Sequence, residues 1–274
     1  TEPVKREEKR NLSIPFGVLD IPSLQSQEVY HYDLEESSHT VLFASPGFGK
    51  STALQTLVMN LARQNTPEQV QFNLFDFGTN GLLPLKELPH VADIVTLEEN
   101  EKLQKMLQRL EQNLAERKAL FKKVGVANLK QYQSKTQHEL PIIVNVLDSY
   151  DGLSPNDNRK DTIDNLLLKV LREGAAVGIY LVLTAGRYNA IRMNMMANIQ
   201  TKMALFLNED GDLSNLFGRE KLEQVELPGR AQIKLEQPLA LQIFLPTREE
   251  NEVDALAALD REIVAMKEEW KGAL

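Results

Sequence analysis

Residues 44–52 run Ala44, Ser45, Pro46, Gly47, Phe48, Gly49, Lys50, Ser51 and Thr52, close to the pattern G-x-x-x-x-G-K-[ST]. Consecutive backbone N–H groups in such a loop wrap a phosphate at the N-terminus of a helix. Lys50 is placed to reach the β- and γ-phosphates of ATP, and the Ser51 hydroxyl to hold Mg²⁺. These nine residues form the candidate nucleotide-binding set, with ATP and Mg²⁺ as its expected ligands. The one departure is Ala44 in place of the first glycine, which a backbone kept in the β region tolerates, while Gly47 and Gly49 remain where the loop turns most tightly. The competing reading is a glycine turn before a helix whose lysine is merely solvated. Context separates the two: a buried strand (TVLFA, 40–44) precedes the loop, and Leu54, Leu57, Val58 and Leu61 follow at helical spacing.

Such a loop needs a second strand that ends in an acid. Residues 142–148 (IIVNVLD) supply one, making Asp148 the candidate Mg²⁺ partner of Ser51; the plainer alternative for Asp148 is an Asx turn that opens a loop. Many motor ATPases carry Glu directly after this acid to polarise the attacking water. Here Ser149 stands at that position, and loss of a general base lowers a rate by about 10²–10⁴. Asp76, at the end of QFNLFD, and Asp151 are acids that could substitute, each also readable as a structural loop residue. Ring ATPases complete their sites with a neighbour's arginine. Arg187, just past the strand GIYLVLT, is the first candidate for a γ-phosphate sensor, with Arg172, Arg219 and Arg230 behind it; a surface ion pair is the alternative for each. Asp148, Arg187 and Asp76 are thus the catalytic candidates.

The elements that must position these groups follow from hydropathy patterning. Strands are expected at 28–34, 40–44, 71–76, 142–147, 179–184, 202–207, 230–235 and 240–245. Helices are expected at 50–63, 100–124, 161–173 and 249–270. Continuous Val/Ile/Leu runs separated by helices imply an α/β fold: a mostly parallel sheet covered on both faces, with an antiparallel edge hairpin at 230–245 and a C-terminal helix. One domain over 1–274 is expected, with flanking strands in 1–36, a core over 37–247 and a terminal helix and junction over 248–274.

Composition bounds the function. The 274 residues carry a formal charge of −8 and no Cys, so a disulfide framework and thiolate metal sites are excluded. Four scattered His have no metal-ligand spacing. No apolar run has the length of a membrane span, and the start, TEPVKREEKR, does not read as a signal peptide. The acidity argues against DNA as a partner, although residues 101–135 hold nine Lys/Arg against three Glu, which reads as a solvated helical face or a contact surface.

Taken together, these segments resemble the FtsK/SpoIIIE branch of RecA-like motor ATPases. GIYLVLTAGR (178–187), NIQTKMALFL (198–207), LFGRE (216–220) and LPGRAQIKL (227–235) look like that branch's sensor strand and closing hairpin. LFDFGTNGL (74–82), LPHVADIV (88–95), ERKALFKKVGVANLKQY (116–132) and REGAAVGIYLVLTAGR (172–187) resemble, more narrowly, one ATPase module of the type VII secretion motors of the EssC/EccC family. The resemblance runs from about Ile14 to Trp270. It implies a RecA-like P-loop fold and a membrane-anchored parent with tandem modules at the cytoplasmic face of the membrane. It further implies neighbouring modules, other secretion-system components and exported WXG100-type proteins as partners. Asp148 takes the Mg²⁺ position in the family pattern, Ser149 departs from it, as degenerate modules of such arrays do, and EEWKGAL (268–274) resembles an inter-module junction. A non-hydrolysing regulatory or docking module and a DNA translocase domain are the alternatives.

Overall fold

The computed structural model describes residues 9–271; the charged stretch 1–8 and the last three residues of the expected junction lie outside them. Ten strands form one sheet. In chain order, the elements are β1 (Ser13–Ile21), β2 (Ser26–Asp33), α1 (Leu34–Ser37), β3 (Thr40–Phe43), α2 (Lys50–Gln64), β4 (Val70–Asp76), β5 (Val91–Thr96), α3 (Asn100–Val124) and α4 (Leu129–Thr136). Then come β6 (Ile142–Asp148), α5 (Lys160–Glu173), β7 (Ile179–Ala185), α6 (Met193–Met196), β8 (Thr201–Ala204), α7 (Asp210–Phe217), β9 (Arg230–Lys234), β10 (Pro238–Ile243) and α8 (Glu252–Glu269).

The spatial order is β2-β1-β10-β9-β8-β3-β7-β6-β4-β5. From β8 to β5 all neighbours are parallel; from β8 to β2 all are antiparallel. The apolar strands β3, β6 and β7 are buried at every position, as expected for strands covered on both faces. The connection from β3 out to β4 through α2 and the returns through α3 and α5 run in opposite directions along the sheet. Right-handed crossovers therefore place α2 on one face and α3 with α5 on the other.

The 230–245 hairpin is antiparallel, as its pattern suggests, but it does not form the sheet's edge. β1 inserts beside β10, with Leu19 opposite Leu241, and β2 is the outer strand. Gly17 makes this approach possible, because a Cβ there would lie 2.4 Å from the Gln242 carbonyl oxygen. Two strands are absent from the hydropathy reading: β1, broken in pattern by Pro15 and Gly17, and β5, a partly exposed edge strand. In α8 the core-facing residues are Leu259, Ile263 and Met266, whereas Val253 and Leu256 are exposed. Arg63 of α2 ties this helix down through Glu262 (2.6 Å).

Two buried polar groups brace the sheet below the loop. His39 Nδ1 accepts the Leu181 N–H (3.0 Å) and its carbonyl accepts the Gln200 and Thr201 N–H groups, knitting β3, β7 and β8 together. Arg117 of α3 turns inward and donates to the Val177 and Pro141 carbonyls (2.8 and 2.7 Å). No helix among the described residues is long and apolar enough to cross a membrane.

Candidate functional site

At the C-terminal end of β3 the chain leaves the sheet without losing its hydrogen bonds. Ala44 N–H reaches the Ala185 carbonyl (3.0 Å), and Ser45 N–H the Phe206 carbonyl (2.9 Å). Ser45 Oγ accepts the Asn208 N–H (2.9 Å). Ala44 is fully buried, so its methyl belongs to the core and substitutes for glycine without strain. Gly47 (φ +87°) and Gly49 (φ +97°) have left-handed backbone, which favours glycine. Gly49 is also the N-cap of α2, so the loop delivers its amides to the positive end of a 15-residue helix. The Gly229 N–H donates to the Phe48 carbonyl (3.1 Å), and the Phe48 ring packs on Phe206 (4.7 Å between centroids). Among the described residues, no acid or carbonyl holds Lys50.

Ser51 and Asp148 meet as expected. Ser51 Oγ donates to Asp148 Oδ2 (2.5 Å), and the other carboxylate oxygen accepts from Thr184 Oγ1 (2.6 Å). Thr184 in turn accepts the Ser149 N–H (2.8 Å), fixing the exit of β6. A hydroxyl and a carboxylate beside a phosphate-binding helix end are the hard oxygen donors that suit Mg²⁺, which takes one or two protein oxygens and completes its shell with phosphate and water. The residues present therefore fit a nucleotide-bound Mg²⁺, which Ser51 and Asp148 would hold, with Lys50 at the first position of α2 available to the phosphates.

The remaining candidates are distributed differently. Asp76 lies beside Asp148 in register, 2% exposed. Its Oδ1 accepts the Gly78 N–H and its Oδ2 the Leu82 N–H, both at 3.0 Å. Burial raises its pKa above the ordinary carboxylate value, the Asp148 charge adds to this, and the two amides work against it. Both oxygens are thus committed to the loop 77–82. Ser149 has left-handed backbone (φ +61°) and faces that loop: a Cβ on Gly78 would lie 2.7 Å from its Oγ. Asp151 accepts the Gly186 N–H (3.1 Å), across the strand ends from Ala44. Arg187 is not aimed at the loop; its Nε donates to Asp212 Oδ2 of α7 (2.8 Å), an oxygen that also takes the Tyr188 N–H. Arg172 sits at the far end of α5, next to the start of β7, and Arg219 is exposed beyond α7. Arg230 follows Gly229, the residue bonded to the phosphate loop.

Sequence reasoning missed three participants. Thr184 is a polar residue near the end of an otherwise apolar buried strand, a signal open to notice. Gln55, one helical turn past Ser51, donates to the Gly81 carbonyl (2.7 Å), and Gly81 lies against the Ser51–Asp148 pair. Nothing local marks those two, because their roles depend on the path of a loop between distant strands.

The FtsK/SpoIIIE family model matches residues 3–231. The ESX secretion system protein EccC of Geobacillus thermodenitrificans is 33% identical over 94% of this chain, and type VII secretion system protein EssC of Staphylococcus aureus 32% identical over 97%. The chain spans only 17% and 18% of those relatives' lengths. The solved structure of EssC (ATPases 2 and 3) from G. thermodenitrificans superposes with a TM-score of 0.90 at 32% identity, over 97% of this chain and 51% of that one. Thermomonospora curvata EccC (ATPases 2 and 3), solved in complex with a signal sequence peptide, shares the fold at 23% identity and a TM-score of 0.83, covering 97% of this chain and 49% of that one. The sheet order, the phosphate loop and the acid strand are those of a RecA-like P-loop NTPase, and with the family model spanning most of its length the chain belongs to the FtsK/SpoIIIE family.

Proposed function

We propose that this chain is one nucleotide-binding module of a type VII secretion ATPase, taking ATP with Mg²⁺ at residues 44–52 and Asp148. The observation that carries this reading is the Ser51–Asp148 pair, assembled from two buried parallel strands at the N-terminus of α2. In a larger, membrane-anchored protein, the module works at the cytoplasmic face of the membrane. Neighbouring modules and other secretion-system components are its partners, and nucleotide binding is coupled to export of small helical WXG100-type proteins. Turnover by the module alone is slow. Ser149 cannot act as a general base, and Asp76, the buried acid beside Asp148 in the sheet, spends both oxygens on backbone amides.

A second reading, a regulatory or docking module that binds nucleotide without hydrolysing it, is favoured by how closely Ser149 fits against Gly78. A DNA translocase role is disfavoured by the charge of −8. The test is thermal. A ligand at about 100 times its Kd adds about 2.7 kcal/mol to folded stability, and ATP·Mg²⁺ should therefore raise Tm by about 5–10 °C. Lys50→Ala should abolish the rise, and an undiminished rise in that variant places the nucleotide elsewhere. Single-turnover phosphate release then separates a slow ATPase from a module that only binds.

A further inference from the structure

We propose that Gly81, outside both the phosphate loop and the acid strand, shapes the metal pocket of the nucleotide site, and that Asp76 and Gln55 are the positioning residues that hold it there. The inference rests on the nucleotide-binding reading above and deepens it.

The loop 77–82 is fixed at both of its ends. Asp76 binds the Gly78 and Leu82 amides, and Leu82 is fully buried. From the other side, Gln55 Nε2 holds the Gly81 carbonyl at 2.7 Å, tying the loop to the first turns of α2. Held in this way, Gly81 faces the Ser51–Asp148 pair. A Cβ at position 81 would lie 2.4 Å from Ser51 Oγ, 2.6 Å from Ser51 Cβ and 3.0 Å from Asp148 Oδ2. Gly81 is not among the positive-φ glycines, so backbone freedom is not the reason a glycine stands there. The reason is space. Magnesium would sit about 2.0–2.1 Å from an oxygen ligand, and a Cβ at position 81 would lie 2.4 Å from that same Ser51 oxygen, so a methyl there and a cation on the Ser51 hydroxyl would compete for the space around it. The loop is thus a third wall of the site, set close enough that one methyl group fills the gap.

The test measures nucleotide affinity, by displacement of a fluorescent ATP analogue, with Mg²⁺ and in EDTA. The quantity read is the ratio of the two affinities. In Gly81→Ala the EDTA affinity should stay within about three-fold of the parent while the Mg²⁺ enhancement collapses to about one, because the added methyl competes with the metal and not with the phosphates. Gly78→Ala, which crowds Ser149 in the same loop, should keep the enhancement. Retention of the enhancement in Gly81→Ala overturns the proposal. So does its loss in both variants, or an equal fall in EDTA affinity, since either marks general loop damage.

Should Gly81→Ala not fold, the parent alone decides. A wall this close admits Mg²⁺ and disfavours Ca²⁺, whose oxygens lie at about 2.3–2.6 Å, so Mg²⁺ should enhance binding at least about five-fold more than Ca²⁺. Equal enhancement overturns the proposal. A parent that binds nucleotide with no metal effect overturns this inference and leaves the nucleotide site standing, whereas a parent that binds none removes both.

Discussion

Lowering the pH should loosen this protein through one histidine beneath the phosphate loop. His39 is 2% exposed, and burial holds its imidazole down to about 4, against an ordinary value of 6.5. Its Nδ1 already accepts the Leu181 amide, while Nε2 is buried with no partner, so a proton on Nδ1 would both break a bond between β3 and β7 and place an unpaired charge in the core. The unfolded chain takes up this proton first as the pH falls. The stabilisation is therefore complete above about pH 6.5 and is lost progressively as the pH drops towards 4. At 1.36 kcal/mol per pKa unit, the loss is about 2 kcal/mol by pH 5 and about 3 kcal/mol near pH 4. Urea unfolding between pH 7.5 and 5, at fixed ionic strength, reads it directly. His39→Asn is the control, because the Asn side-chain oxygen can take the Leu181 amide without titrating. Every other titrating group is common to both chains and cancels, so the parent should lose about 2 kcal/mol more than the variant over this range. Equal losses in the two chains would refute the reasoning.

Two further outcomes follow from the site. Ser149→Glu, which restores the residue type usual in motor ATPases, should lower stability by about 1–3 kcal/mol, because the longer side chain grows towards Gly78 and the loop must move; an unchanged urea midpoint with a large gain in phosphate release would show that the loop yields freely. Arg187→Ala should leave ATP and ADP affinities within about two-fold in the isolated chain, since Asp212 holds the guanidinium. A ten-fold loss confined to ATP, about 1.4 kcal/mol, would mean that the arginine leaves Asp212 for the γ-phosphate.

Much of the parallel half of this molecule was legible because its signals are local. A buried strand, a glycine-rich turn and an amphipathic helix follow one another within 25 residues, 40–64, so motif and context can be read in one window. Asp148 was legible for the same reason, at the end of an uninterrupted apolar run. In the antiparallel half the 230–245 hairpin was legible too, but the insertion of β1 was not, because its neighbours are set by pairing across the chain: nothing in SIPFGVLDI announces that Leu19 lies opposite Leu241. Arg117 shows the limit of charge patterning. Placed in a run of basic residues that reads as a solvated face, it points inward because two strand-flanking carbonyls need donors. Asp76 shows the limit of residue chemistry: an acid at a strand end beside the metal acid suggests a base, and only the path of the following loop reveals its engagement with backbone amides.

The position of β1 has a consequence for the order in which the molecule can assemble. Residues 40–204 contain every strand of the parallel half, and there β3 pairs with β7 and β8, as Thr40 opposite Val182 and Thr201 show. The other half closes differently: Asp20 pairs with Ala240, so β1 must wait for β10, more than two hundred residues later, before its inner edge is satisfied. Loop-closure entropy makes such a pairing late relative to the local hairpins β1–β2 and β9–β10. On a ribosome, the phosphate loop would emerge long before Gly229, and would meet β7 and β8 shortly before that residue arrives to hold the Phe48 carbonyl. The nucleotide pocket acquires this strut only when the segment before β9 arrives, with Ile243 of β10 donating to the Gly229 carbonyl, and nucleotide present during synthesis would meet a loop still open on that side.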